Sequence, residues 1–136
     1  MRTLHTLIGI LAMASLASCT SAQQTPETTT AVTINESTPC DALSVSVGQI
    51  LTVSLEGNPS TGYTWEAVHV PVQLSAVGDA TYKQNDAPQN AVGVGGVTTW
   101  TYKTVTTGTG TLQFHYHRPW ENVAPLKTFI CSVTVR

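Results

Sequence analysis

The sequence predicts an all-β domain, an immunoglobulin-like antiparallel β-sandwich of about eight short strands. Apolar and polar residues alternate in several short runs, such as 51–55 and 112–117, and this alternation is typical of strands with one buried face. Turn residues separate the runs at regular spacing, and no stretch has the period of an amphipathic helix. Charged residues make up only 10% of the 136 residues, while Thr, Ser and Val are abundant. That balance favours strands over helices.

The strand candidates follow one another closely along the chain. They lie at 43–47, 51–55, 64–68, 74–77, 80–83, 97–105, 112–117 and 129–135. Pro71 should interrupt pairing after the third of them, because proline has no N–H to donate. Four aromatic residues in these strands are expected in the core: Trp65, Trp100, Phe114 and Phe129.

The first residues indicate a targeting segment. Arg2 precedes an apolar run at 7–16, which has the length of a signal-peptide core and is too short to span a membrane. Leu16-Ala17-Ser18-Cys19 follows directly and resembles the bacterial lipobox, in which signal peptidase II cuts before the cysteine and a lipid is attached to it. We expect Cys19 to carry a lipid anchor; the alternative is an ordinary secretory signal cleaved near Ala22.

The chain is expected to divide into three parts. These are a lipoprotein signal peptide at 1–18, the lipidated cysteine with a flexible polar tether at 19–31, and one folded domain at 32–136. The tether lacks apolar periodicity and contains Thr, Gln and Pro. The expected location is the bacterial cell envelope, with the lipid in the outer membrane facing the periplasm, because Thr20 stands where inner-membrane retention usually has Asp.

Two cysteines remain as a pair once Cys19 carries lipid. An exported chain in an oxidising compartment can bridge Cys40 and Cys131, which would tie the start of the domain to its last strand. The alternative is two buried free thiols.

The stretch Asn58-Pro59-Ser60-Thr61-Gly62-Tyr63 is predicted to form a compact turn between two strands. Pro59 fixes its own φ and favours an extended Asn58, whose side chain can bond the backbone two residues on. Gly62 permits a positive φ, and two hydroxyls lie at the tip. A stiff loop loses little entropy on binding and suits insertion into a partner's cleft. The alternative is that the motif is only a turn.

Two later loops carry further candidate binding residues. Residues 85–96 lack periodicity, and Gly95-Gly96 within them allow close approach of another backbone or give simple flexibility. Trp120 follows Pro119 and lies outside the strand alternation. It is interpreted as an interface anchor; the alternative is a side chain folded back on the sandwich. Arg118 is expected to stack on Trp120, to reach a partner carboxylate, or to form a surface ion pair. All three loops are expected at one end of the sandwich.

Other functional classes have little support in the sequence. His115 and His117 share one strand face as a metal pair would, but the face is polar and no third ligand lies beside them, so rim histidines are the preferred interpretation. No catalytic motif is present, and neither enzyme activity, a metal nor a cofactor is expected. The formal net charge of −2 gives no basic surface for nucleic acid. A monomer is the default.

Three motifs in order resemble the chagasin family of cysteine-peptidase inhibitors. They are N-P-S-T-G-Y at 58–63, G-V-G-G at 93–96 and R-P-W at 118–120. The family pattern is N-P-T-T-G-[YF], G-x-G-G and R-P-[WF], and the resemblance extends from residue 42 to the C-terminus. It implies an immunoglobulin-like sandwich whose three loops form a wedge against papain-like peptidases. The first loop would cover the catalytic cysteine of the peptidase, and the other two would flank it.

The resemblance also implies which residues touch the peptidase. They are Asn58, Pro59, Ser60, Thr61, Gly62 and Tyr63 of the inserted loop, Gly95 and Gly96 of a backbone-contact loop, and Arg118, Pro119 and Trp120 of an aromatic clamp. Ser60 departs from the family's usual threonine; it keeps the hydroxyl and loses a methyl worth about 0.8 kcal/mol when buried. The expected function is reversible competitive inhibition. The alternatives are an envelope lipoprotein that binds a glycan or another protein, and a structural lipoprotein.

Overall fold

Nine strands and one 3₁₀ turn form the part of the chain that the computed structural model describes, residues 30–136. The strands are β1 (Val32–Asn35), β2 (Leu43–Val45), β3 (Ile50–Gly57), β4 (Thr64–His69), β5 (Leu74–Ala76), β6 (Thr81–Gln84), β7 (Gly96–Thr104), β8 (Gly108–His117) and β9 (Lys127–Val135). The expected signal peptide, Cys19 and the tether up to residue 29 lie outside the described residues. Within residues 30–136, no helix is long and apolar enough to cross a membrane.

The strands form two sheets that pack as a sandwich. One sheet has the order β1-β3-β7-β5, with β6 also paired to β7, and the other has the order β2-β9-β8-β4. The predicted all-β sandwich is confirmed. The predicted antiparallel pairing is wrong at two edges, because β1 runs parallel to β3 and β2 runs parallel to β9. Strand β1 was not predicted, since only Ile34 in it is fully buried and its four residues are too few for an alternation to show.

The core lies between the sheets and follows the predicted alternation. Its largest contributions come from the inward faces of the long strands: Leu51, Val53 and Leu55 in β3, Leu112, Phe114 and Tyr116 in β8, and Phe129, Cys131, Val133 and Val135 in β9. Trp65 is buried, and the half-buried Trp100 packs on Phe114 with ring centroids 4.7 Å apart. The four aromatic residues expected in the core therefore all pack in or against it.

A disulfide joins the first connection to the last strand. Cys40 lies between β1 and β2 and is bonded to Cys131 of β9, 91 residues later in the chain. The backbone N–H of Ser132 also donates to the Cys40 carbonyl at 2.8 Å. Closing a loop of that length stabilises a fold by about 4–5 kcal/mol in the chain-entropy account.

Strand register places the three candidate loops at one end of the sandwich. Gly57 at the end of β3 pairs with Gly96 at the start of β7, and Gly96 pairs with Gln84 at the end of β6. In the other sheet, the first residue of β4 pairs with His117 at the end of β8. The connections β3–β4, β6–β7 and β8–β9 therefore emerge together.

Candidate functional site

Loop A, residues 58–63, is a 3₁₀ turn built from the local chemistry that the sequence indicates. Asn58 is extended (φ −132°, ψ 93°), and its Oδ1 accepts hydrogen bonds from the N–H of Ser60 at 3.2 Å and from the Ser60 hydroxyl at 2.5 Å. Gly62 ends the turn in the left-handed region, with φ +83°. The extended Asn58, its bond to the Ser60 N–H and the positive φ of Gly62 were predicted from the types of residue in the loop, and they are confirmed.

Two backbone carbonyls of loop A accept hydrogen bonds from within the loop. The Asn58 carbonyl accepts from the N–H of Thr61 at 3.1 Å and from its hydroxyl at 2.6 Å, and the Pro59 carbonyl accepts from the Gly62 N–H at 2.9 Å. The side chains of Pro59, Ser60 and Thr61 are exposed. Loop A thus presents hydroxyls and a pyrrolidine ring at its tip while its own backbone bonds hold its shape.

Tyr116 supports loop A from the core. Its hydroxyl accepts a hydrogen bond from the backbone N–H of Asn58 at 2.9 Å. The Tyr63 ring stacks on Tyr116 with centroids 5.5 Å apart, and Trp65 packs against it at 5.1 Å. The sequence pattern places Tyr116 on the buried face of its strand, but no sequence signal shows that its hydroxyl reaches a loop 58 residues earlier.

Loop B, residues 85–95, is joined directly to loop A. The Asn58 side-chain amide donates to the Gly93 carbonyl at 2.7 Å, and the Asn85 N–H donates to the Gly95 carbonyl at 2.9 Å. Val92, next to this contact, is 95% exposed. Asn58 therefore fixes the relative positions of two of the three loops.

The two glycines at the end of loop B approach this chain's own atoms. A Cβ on Gly95 would lie 3.2 Å from the Gly57 carbonyl oxygen. Gly96 is buried within β7, where a Cβ would lie 2.5 Å from the Tyr82 hydroxyl. Gly95 thus seats loop B beside loop A, and Gly96 allows β7 to approach β6 closely. The expected contact of the two glycines with a partner's backbone stays a prediction.

Loop C, residues 118–126, is tied to loop A by Arg118. Its Nε and Nη2 donate to the Thr61 carbonyl at 3.2 and 3.1 Å, and its Nη1 donates to Glu121 at 3.0 Å. The guanidinium lies 4.5 Å from the centroid of the Tyr63 ring, so it stacks on Tyr63. Of the three alternatives for Arg118, the structure shows the ion pair, which Arg118 makes with Glu121. The hydrogen bond to Glu121 raises the pKa of Arg118. Arg118 therefore stays charged and binds the two loops together.

Trp120 lies against loop A and is also open to solvent. A Cβ on Gly62 would lie 2.6 Å from the Cη2 atom of Trp120, so the indole edge contacts loop A where that loop has no side chain. The Trp120 side chain is nevertheless 69% exposed, and Pro119 beside it is exposed as well. Of the two sequence interpretations, this exposure favours the interface anchor.

The two histidines of β8 that lie near the loops each contact a neighbouring polar side chain. His117 Nε2 lies 2.7 Å from a carboxylate oxygen of Glu66, and His115 Nε2 lies 2.9 Å from the Gln113 amide. Within residues 30–136, no three or more His, Cys, Asp or Glu side chains are grouped to hold a metal ion. The surface that the loops build is suited to binding by neutral hydrogen bonds and apolar contact.

Comparison with known proteins identifies the family. A family model described as chagasin family peptidase inhibitor I42 matches residues 44–133. The chain belongs to the chagasin family. Its similarity to Amoebiasin-2 from Entamoeba histolytica is 32% identity over 95 residues, which cover 69% of this chain and 76% of that protein. The family expected from the three motifs is thereby confirmed.

Solved structures agree with the chagasin assignment. The crystal structure of EhICP2, a cysteine protease inhibitor from Entamoeba histolytica, matches with a TM-score of 0.69 and 29% identity, over 78% of this chain and 96% of that one. The solution structure of amebosin matches with a TM-score of 0.64 and 26% identity, over 79% and 99% of the two chains. Nearly the whole length of each neighbour is therefore represented in this chain.

Proposed function

We propose that this chain is a reversible, competitive inhibitor of papain-like cysteine peptidases, with loop A in the active-site cleft and loops B and C on either side. The observation that carries the proposal is that hydrogen bonds join the three loops. Asn58 bonds loop B through Gly93, and Arg118 of loop C bonds the Thr61 carbonyl. A surface that is already assembled loses little conformational entropy on binding.

Loop A is a poor peptidase substrate because three of its carbonyl oxygens are already engaged. Those of Asn58, Pro59 and Thr61 accept hydrogen bonds from within the domain. Attack by a thiolate requires a carbonyl aligned with the nucleophile and an oxygen free to enter an oxyanion hole. Loop A can therefore fill the cleft without being cleaved, and inhibition involves no covalent step.

The chemistry of the loop A tip suits the cleft of a cysteine peptidase. Such a cleft holds a reactive thiolate–imidazolium pair. The exposed residues Pro59, Ser60 and Thr61 carry no charge, so their entry buries no unpaired ion. The Ser60 hydroxyl also closes the loop by its bond to Asn58, and this role does not need the methyl of the family's usual threonine.

A titration of peptidase activity tests this proposal. The full-length chain in mild detergent is added to papain and to a cathepsin L-like peptidase, with a small fluorogenic substrate as the readout and Gly62→Trp as the comparison. We expect stoichiometric loss of activity with the unaltered chain and none with the variant, in which a bulky side chain displaces Trp120. A folded chain that inhibits neither enzyme, or an acyl-enzyme detected by mass spectrometry, would count against the proposal.

We also propose that Cys19 carries a lipid that anchors the inhibitor in the outer membrane, facing the periplasm. The support is the position of the lipobox-like Leu16-Ala17-Ser18-Cys19 directly after the apolar run. Labelled palmitate should be incorporated into the unaltered chain in a bacterial host and not into Cys19→Ser. An unlabelled wild-type chain would rule the anchor out.

A further inference from the structure

Large apolar side chains are exposed unevenly over the domain. Among the described residues, five such side chains are at least 62% exposed: Val72, Val92, Trp120, Val123 and Leu126. Four of these lie on loops B and C, at the same end as loop A. Three of the four lie in loop C itself, in the seven-residue stretch 120–126. The fifth, in the turn between β4 and β5, lies at the opposite end. Single exposed apolar residues are ordinary, whereas a cluster marks an interaction surface.

Loop C holds these side chains in place from both of its ends. The Glu121 N–H donates to the Arg118 carbonyl at 3.0 Å, and the Leu126 N–H donates to the Tyr116 carbonyl at 2.8 Å. Arg118 is itself bonded to loop A. The apolar side chains are therefore carried by a loop whose ends are fixed, and this reduces the entropy lost when they are covered.

The segment of loop C beyond Trp120 is also nearly free of net charge. Glu121 is paired with Arg118, and residues 122–126 are Asn-Val-Ala-Pro-Leu. Lys127, which follows, is paired with Glu36 at 3.1 Å. A charged partner surface would gain nothing here and would lose hydration, so the segment fits an apolar, uncharged surface.

We propose that Val123 and Leu126 extend the inhibitory surface beyond Trp120, contact an apolar strip on the peptidase beside its cleft, and determine which peptidases are bound most tightly. The inference rests on the proposed function. The peptidase is the expected occupant because the two side chains lie on loop C, which Arg118 bonds to the Thr61 carbonyl of loop A.

The test compares inhibition constants for papain and a cathepsin L-like peptidase. The double variant Val123→Ser/Leu126→Ser is measured in the full-length chain, with Val72→Ser as a matched control because Val72 is 81% exposed at the opposite end. Covering the two apolar side chains strengthens binding, so we expect the inhibition constant to rise at least about tenfold, by different factors for the two peptidases, mainly through faster dissociation. Val72→Ser should leave the inhibition constant unchanged. Both variants should unfold at the same thermal midpoint as the unaltered chain.

The outcomes separate this inference from the proposed function. Strong inhibition by the unaltered chain, unchanged in the double variant for both peptidases, would overturn the inference and leave the proposed function standing. A double variant that altered only self-association of the chain would overturn it in the same way. Absence of inhibition by the unaltered chain would overturn both.

Discussion

The hydroxyl of Tyr116 accepts a 2.9 Å hydrogen bond from the backbone N–H of Asn58. Tyr116 is 7% exposed and belongs to the buried face of β8, so this bond fixes the start of loop A to the core. Asn58 in turn bonds loop B through its side chain. The arrangement of the loops is therefore set by the interior of the sandwich as well as by their own sequences.

Removal of that hydroxyl should weaken inhibition. Tyr116→Phe keeps the ring contacts with Tyr63 and Trp65 and loses a hydrogen bond worth about 1 kcal/mol, so we expect the inhibition constant to rise about fivefold. Tyr102→Phe is the control, because Tyr102 lies in β7 and is also buried. Equal inhibition constants for the two variants would show that the bond does not position loop A.

Substitution of Gly62 should lower both the stability of the domain and the strength of inhibition, for two separable reasons. Gly62→Ala places a side chain at φ +83° and pushes the Trp120 indole away, whereas Gly48→Ala places one at φ +86° with nothing within 4 Å. Both should lose about 1 kcal/mol of stability, and only Gly62→Ala should weaken inhibition as well. Urea unfolding and enzyme titration measure the two effects. Equal inhibition by both variants would show that inhibition does not require the contact between loop A and Trp120.

Arg118 should not be replaceable by lysine. Lysine keeps the charge, but it cannot donate two N–H groups to the Thr61 carbonyl while stacking on Tyr63 and reaching Glu121. We expect Arg118→Lys to weaken inhibition more than Glu121→Gln, which leaves both bonds to Thr61 in place. Inhibition constants measured at low and high salt distinguish the two causes, because salt screens an effect of charge and does not screen the loss of the bonds that position the loops. The reverse order of the two variants would contradict this role for Arg118.

The stability of the domain should fall at alkaline pH through Tyr102. Burial of this residue raises the pKa of its phenol from 10.0 to about 12. The unfolded chain ionises first, so this contribution is fully present below pH 10 and is lost as the pH rises from 10 towards 12, with a slope of up to about 1.4 kcal/mol per pH unit. Urea unfolding of the unaltered chain between pH 9 and 11 should decline more steeply than that of Tyr102→Phe. Parallel curves would show that Tyr102 ionises freely in the folded state.

The local shape of loop A could be predicted because adjacent residues determine it. Pro59 restricts Asn58, the Asn58 side chain bonds two residues on, and Gly62 supplies the positive φ. The bonds that join the loops could not be predicted, because they depend on strand register. The Arg118 contact with Thr61, for example, spans 57 residues of sequence.

Two valines that were expected in strands are exposed. Val47 fits the alternation of β2 and is 47% exposed, because β2 ends at Val45 before the turn at Gly48. Val68 lies within β4, as expected, and is 42% exposed where the pairing of β4 with β8 shifts register. Alternation alone does not show where pairing stops or where a bulge occurs.

The most direct measurement of the central claim is the reactivity of the peptidase's catalytic cysteine in the complex. Papain saturated with the full-length chain is treated with iodoacetamide, and alkylation of the catalytic thiol is followed by mass spectrometry. If loop A covers that cysteine, the thiol should be protected in proportion to the inhibitor bound, and activity should return in full after dissociation. Alkylation at the rate seen for free papain, in a complex that is still inhibited, would contradict insertion of loop A into the cleft.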